Sequence, residues 1–255
     1  MLKISNICYE EKGNKTPPII CLHGIGGDSK SFEPQLLGLS EKHRVIAWNM
    51  PGYQDSKPLA EVTFEKLSSS LKSFMDDLEI SEVCLLGQSI GGMVAQEFYF
   101  RYPEKVNSLI LIATTSAFGG RDDYFKKKFL ELRLKPLNLG KNMNELAEQF
   151  VPEIIGNSYP PEVLENAIHS MSKIPIETYK KIIYCLVTFN RYQDFGEINI
   201  PCCLIAGKED TNAPFKTMEK MYYKLEKAEF HCIENAGHLV NLEAPVKTNK
   251  IIMDF

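Results

Sequence analysis

An α/β fold, a mostly parallel doubly wound sheet with an all-helical insertion, is predicted by three features of this 255-residue chain. Short apolar, β-rich runs alternate with amphipathic helical patterns, the signature of a parallel sheet covered on both faces. The alternation stops after Ala113 and resumes at Pro201, with helical patterns between. One of the apolar runs leads straight into a glycine-flanked serine at the start of a helical stretch.

Taken in order, residues 2–10 read as a strand, hairpinned to another before Gly13-Asn14. The core strand runs are Ile19–Leu22, then 44–48, 83–86, 106–113, 202–206 and 229–233, each bounded by Gly, Pro or Asn. Residues 64–78 place Phe64, Leu67, Leu71, Phe74, Met75 and Leu78 at helical spacing. Residues 93–102 and 214–225 read the same way, with Pro214 suited to a first turn. Within the insertion, helices are expected over 122–134, 143–151, 161–172 and 176–190, punctuated by prolines at 136, 152, 160, 161 and 175. An all-helical excursion inside an α/β core reads as a cap over an active site. The chain then divides into a core of residues 1–114 and 199–255 and a cap of residues 115–198.

Composition narrows the function classes. The net charge is -4, with 44% hydrophobic and 24% charged residues, so no basic footprint points to nucleic acid. Lys126, Lys127 and Lys128 form a local run that reads as a solvated helix face. The opening residues lack the order of a signal peptide. No apolar stretch approaches the roughly 20 residues that span a bilayer, so no membrane partner is expected. The seven cysteines show no CxxC or Cys/His metal spacing, and Cys21, Cys84, Cys202 and Cys203 fall inside strand runs as small buried hydrophobes. This usage suits a reducing cytoplasm. No metal and no cofactor are expected, the partner is a small-molecule substrate, and the oligomeric state is left open.

The chemistry centres on Gly87-Gln88-Ser89-Ile90-Gly91-Gly92, which follows the strand run ending at Leu86 and opens a helix. This is G-x-S-x-G in the strand–turn–helix context it requires. A serine on so sharp a turn takes an unusual backbone angle, and side chains two residues to either side would collide with it. A free hydroxyl is a poor nucleophile and needs a base, which in turn needs an orienting acid. His238, in Asn235-Ala236-Gly237-His238, follows the last strand run, and Gly237 lets that loop approach the nucleophile. His23, His43, His169 and His231 are the alternatives; His23 precedes Ser89 and reads as a structural hydrogen-bonder. Asp210 follows the strand run 202–206 and is the favoured acid, with Glu209 and Glu234 as rivals. An oxyanion needs backbone donors. The N–H of Ile90 is one candidate, and that of Ile25, in the glycine-rich turn His23-Gly24-Ile25-Gly26-Gly27, is the other. That turn lacks both the Lys-Ser/Thr ending of a P-loop and dinucleotide spacing.

Together these elements resemble the α/β-hydrolase superfamily over essentially the whole chain, and most of all the group of 3-oxoadipate enol-lactonase and related carboxylesterases. Residues 48–56, the ending Asn235-Ala236-Gly237-His238 and Glu243-Ala244-Pro245 carry the likeness. The sequence departs from that pattern at Gln88, often His in the family, at Gln54, often Gly, and at Asn49, often Asp. The resemblance implies a serine hydrolase that cleaves a small carboxylic ester, lactone or enol-lactone through an acyl-enzyme. A C–C bond hydrolase or a thioesterase with the same triad is the alternative reading. A cofactor-free haloperoxidase or perhydrolase, or a ligand receptor that keeps a hydrolase shell, stands behind those. Phe118, Phe125, Phe129, Tyr184 and Phe189 are candidates for an apolar pocket wall or for the cap's own core, and Phe32 and Trp48 for the site's surroundings or sheet packing.

Overall fold

A computed structural model of the chain describes residues 1–118 and 123–255. The N-terminal run splits into a hairpin, β1 (Leu2–Ile4) and β2 (Ile7–Lys12), turned at Ser5 with φ 49°. Then come β3 (Ile19–Leu22), α1 (Glu33–Leu39), β4 (Val45–Trp48), α2 (Phe64–Asp77), β5 (Val83–Gln88), α3 (Ile90–Arg101) and β6 (Val106–Ile112). Four helices follow: α4 (Asp123–Asn138), α5 (Met143–Ile154), α6 (Pro161–Ser172) and α7 (Ile176–Leu186). The chain closes with β7 (Cys202–Gly207), α8 (Phe215–Tyr222), β8 (Ala228–Ile233), α9 (Val240–Glu243) and α10 (Pro245–Asp254).

Among the described residues the sheet has eight strands in the order β1-β2-β4-β3-β5-β6-β7-β8. β1/β2 and β2/β4 are antiparallel, and every pairing from β4 to β8 is parallel. Successive side chains of each strand go to opposite faces. Ile20, Leu22, Ile46, Leu85, Leu109 and Leu204 pack with Leu67, Leu71, Phe74, Val94 and Phe98 of α2 and α3. Their neighbours Ile19, Cys21, Val45, Leu86, Ile110 and Cys203 pack on the other face with Leu36 and Leu39 of α1 and Ile252 of α10. Both faces of the central strands are therefore buried, which is why these runs read as continuously apolar. Six of the seven cysteines are buried, and burial raises the Cys84 thiol to about 11 and those of Cys202 and Cys203 to about 12.

The differences from the sequence reading are local. α1 has no counterpart in it, because seven residues give too few turns for a periodic signal. Pro136 and Pro152 lie inside the last turns of α4 and α5 rather than beyond their ends; near a helix end a proline interrupts little of the hydrogen-bond ladder. α7 stops at Leu186 instead of residue 190. The expected start of the first inserted helix at Asp122 lies outside the described residues. The ends of the inserted stretch meet: Phe118 N–H donates to the Phe189 carbonyl (2.9 Å) and Arg191 N–H to that of Ser116 (2.7 Å). Arg191 also binds Glu97 of α3 at 2.7 Å, tying this junction to the helix that follows Ser89.

Candidate active site

β5 and α3 meet at Ser89, which takes φ 54° and ψ -122°. For a residue with a side chain that conformation costs roughly 1–3 kcal/mol and persists only where the surroundings fix it. Here they do. Ser89 N–H donates to the Ile112 carbonyl (2.9 Å), and its own carbonyl accepts from Thr114 Oγ1 (2.7 Å) and Gly92 N–H (3.0 Å). A Cβ on Gly91 would sit 1.9 Å from the Leu22 carbonyl oxygen, and one on Gly87 2.5 Å from the Gly91 backbone. Gly91→Ala should therefore cost several kcal/mol or prevent soluble expression, since backbone must move. Gly26→Ala, whose Cβ would meet Met171 at an ordinary 3.5 Å, should cost under about 1 kcal/mol. Urea midpoints of the two variants check the contrast.

His238 lies in the loop between β8 and α9. Its Nε2 is 3.0 Å from Ser89 Oγ and its Nδ1 is 2.8 Å from Asp210 Oδ2. Asp210 follows β7, and its Oδ1 accepts the N–H groups of Asn212 (2.8 Å) and Ala213 (3.0 Å). Burial works to raise the Asp210 pKa, but His238 and those N–H groups outweigh it and hold the carboxyl below the usual range. A carboxylate only accepts, so Nδ1 carries the imidazole proton and Nε2 turns its lone pair to the serine hydroxyl. The rival groups lie elsewhere. Glu209 Oε2 accepts from Asn157 N–H (2.7 Å), Glu234 pairs with Lys208 (3.6 Å), and His231 faces Glu229 (3.3 Å). His169 is exposed at the cavity, and half-buried His43 has its pKa lowered by burial and by Lys42 and Lys15.

Ile25 and Ile90 flank the serine. Ile90 is the first residue of α3, where an N–H has no partner in its own helix. A Cβ on Gly24 would be 3.3 Å from Ser89 Cβ, so the loop that carries Ile25 abuts the serine. That loop is held from behind: the Tyr53 hydroxyl donates to the Ile25 carbonyl (2.9 Å). His23 Nδ1 donates to the Gly24 carbonyl (2.8 Å) while Nε2 accepts from Met50 N–H (3.0 Å), which fixes a neutral tautomer. Burial lowers His23 to about 4, against a smaller opposing effect of the Gly24 carbonyl. An unfolded His23 takes a proton near pH 6.5 while the folded one stays neutral to about 4. Its contribution to stability is thus whole above pH 6.5 and drains as pH falls toward 4, by about 3 kcal/mol in total. In His23→Gln the loss of stability between pH 7 and 4.5, measured by urea unfolding, should be smaller than in wild type by about 2 kcal/mol.

A buried carboxylate absent from the expected site residues holds the His238 loop. Glu243 Oε2 accepts the N–H groups of Gly237 (2.7 Å) and Gly156 (2.8 Å), and Oε1 accepts that of Leu239 (2.8 Å). His238 N–H itself donates to the Ile154 carbonyl (2.8 Å). Burial raises the Glu243 pKa, and the three N–H groups oppose that rise. Gly237 is small for a different reason than expected: a Cβ there would lie 2.4 Å from Gly156 N, so it admits residues 154–156 rather than the nucleophile. The departures from the family pattern are absorbed locally. Gln88 Nε2 donates to the His238 carbonyl (2.9 Å), Asn49 Oδ1 accepts Ser29 N–H (2.8 Å), and Gln54, at φ 48°, donates to Asp28.

Ser89 and His238 open onto a cavity of about 780 Å³ walled by α4, α5, α6, α7 and the loops after β3, β6, β7 and β8. Phe118, Phe125 and Phe129 line it. Tyr184 is exposed, and Phe189 is buried against Phe64 (4.7 Å between ring centroids). Phe32 and Trp48 are fully buried on opposite faces of the sheet and belong to its core, not to the cavity. Among the described residues no cluster of His, Cys, Asp and Glu is placed to hold a metal ion, and no helix is long and apolar enough to cross a membrane.

Known proteins share this architecture. A family model described as alpha/beta hydrolase fold matches residues 17–245. Monoacylglycerol lipase ABHD6 of Bos taurus is 24% identical over 97% of this chain and 78% of its own length. 3-Oxoadipate enol-lactonase 2 of Acinetobacter baylyi is 24% identical over 92% of this chain and 87% of its own. The structure of a thermophilic esterase from Thermogutta terrifontis superposes with a TM-score of 0.89 at 23% identity, covering 97% of this chain and 92% of that one. With a family match over most of its length and the fold that match describes, the chain belongs to the α/β-hydrolase fold family.

Proposed function

We propose that this protein hydrolyses a small carboxylic ester, lactone or enol-lactone through an acyl-enzyme on Ser89. The observation that carries the reading is the hydrogen-bonded series Ser89 Oγ, His238 and Asp210, with links of 3.0 and 2.8 Å. In the first step His238 Nε2 takes the hydroxyl proton as Oγ attacks the carbonyl carbon. The negative charge that develops on the carbonyl oxygen is met by the N–H groups of Ile25 and Ile90. His238 then gives the proton to the leaving oxygen, and the acyl group stays on Ser89. Water, deprotonated by the same imidazole, attacks the acyl carbon and releases the acid. Asp210 fixes the tautomer and stabilises the imidazolium. Residues 115–198 act as the cap that shapes the cavity, and the apolar side chains on its wall, Phe118, Phe129, Phe150 and Ile183 among them, suit an apolar acyl or alcohol portion. The relatives include proteins named as a monoacylglycerol lipase and a 3-oxoadipate enol-lactonase, which supports this reading.

The test is a panel of p-nitrophenyl esters and lactones of graded length, with wild type and Ser89→Ala. Wild type should turn over the short members, and Ser89→Ala should fall to the uncatalysed background. Equal rates in the two proteins would remove the reading.

A further inference from the structure

The cavity beside Ser89 contains a charge that the acyl transfer does not use. α4 turns Phe125, Phe129, Leu132 and Arg133 toward it, the spacing of one helix face. The Arg133 guanidinium lies over the Phe150 ring at 4.0 Å and over the Phe129 ring at 5.5 Å from their centroids. It stands beside the hydroxyl of buried Tyr179, and Tyr179 neighbours Tyr53, whose hydroxyl holds the Ile25 carbonyl. The cation therefore shares one cavity with Ser89.

Arg44, Arg101 and Arg191 each hold a carboxylate, whereas Arg133 holds none among the described residues. The glutamates that share its cavity, Glu33, Glu153 and Glu162, are exposed, and Arg133 is half-buried. A guanidinium drawn partly out of water calls for an anionic partner. Rings that cover its face leave the N–H groups at its edge to donate.

We infer that Arg133 binds a free carboxylate of the substrate, so that the ester or lactone opened at Ser89 is itself an acid. The inference rests on the hydrolytic reading above and adds the substrate's charge to it. The planar fork of Arg133 donates two parallel N–H···O bonds to a carboxylate. Phe129 and Phe150, which line the same cavity, offer apolar surface to the carbons that join that carboxylate to the scissile bond.

Two measurements decide it. The first compares kcat/KM for monomethyl pentanedioate with that for its neutral isostere, methyl 5-amino-5-oxopentanoate. Wild type should favour the acid by about tenfold or more, Arg133→Lys less, and Arg133→Gln not at all. The ratio is taken within each protein, so a change in folded fraction cancels. The second is calorimetric binding of 5-amino-5-oxopentanoate against pentanediamide, neither of which carries an ester. The acid should bind more tightly to wild type and lose that advantage in Arg133→Gln. No preference in wild type, or an unchanged preference in Arg133→Gln, overturns the inference. Because the calorimetry needs no turnover, it separates a failure of Arg133 recognition from a failure of Ser89 chemistry.

Discussion

Alanine at Ser89, at His238, or at both together is expected to lower kcat for a short ester by about the same factor, on the order of 10⁵–10⁶. The two groups make one device. Without the imidazole the hydroxyl keeps its proton, and without the hydroxyl the imidazole has nothing to activate. The 3.0 Å contact between Nε2 and Oγ is the whole of their coupling. Asp210→Asn should cost about 10⁴, because an amide nitrogen facing Nδ1 favours the wrong tautomer. The N–H groups of Asn212 and Ala213, which donate to Oδ1, donate equally to the new amide oxygen, so the fold survives to be assayed. Steady-state kinetics on the single and double variants check this. Factors that multiply in the double variant would show Ser89 and His238 acting separately.

The second large effect is expected at a residue that touches no reacting atom. Glu243 receives N–H groups from both sides of His238 and from Gly156, and all of these point at carboxylate oxygens. Glu243→Gln keeps the shape but turns one oxygen into a donor. At least one N–H then faces another N–H in a buried place, at about 1–3 kcal/mol. The His238 loop relieves this by moving, and an imidazole displaced by a fraction of an ångström is a poor base. The expected result is a fall in kcat of about 10- to 100-fold with KM changed far less. Unchanged kcat in a folded Glu243→Gln protein would mean that the loop holds its geometry without the carboxylate.

Much of this arrangement is legible in the sequence because it is written locally. Ser89 announces itself through Gly87 and Gly91, which the turn needs whatever surrounds it. Asp210 and His238 sit just past the ends of β7 and β8, so an apolar run followed by a polar loop finds them. The central strands were legible for the same reason, being apolar on both faces. What escaped depends on contacts far apart in the chain. Glu243 matters through Gly156, 87 residues away, and nothing near either residue signals the pairing. The aromatic residues show the limit most plainly. Phe129 and Phe189 both read as pocket wall or cap core, yet one lines the cavity and the other packs on Phe64. Helical spacing gives a face and leaves its partner open. Arg133 is the same case: its role depends on which carboxylates the fold leaves out of its reach.

The central claim is that Ser89 becomes acylated. It is tested most directly by mass spectrometry of protein quenched within milliseconds of mixing with a slowly released ester. The account predicts an intact-protein mass increased by the acyl group, the added mass mapping to the peptide that contains Ser89, and no such species in Ser89→Ala. Ester turnover with no acylated protein, or with the acyl group on another residue, would contradict it.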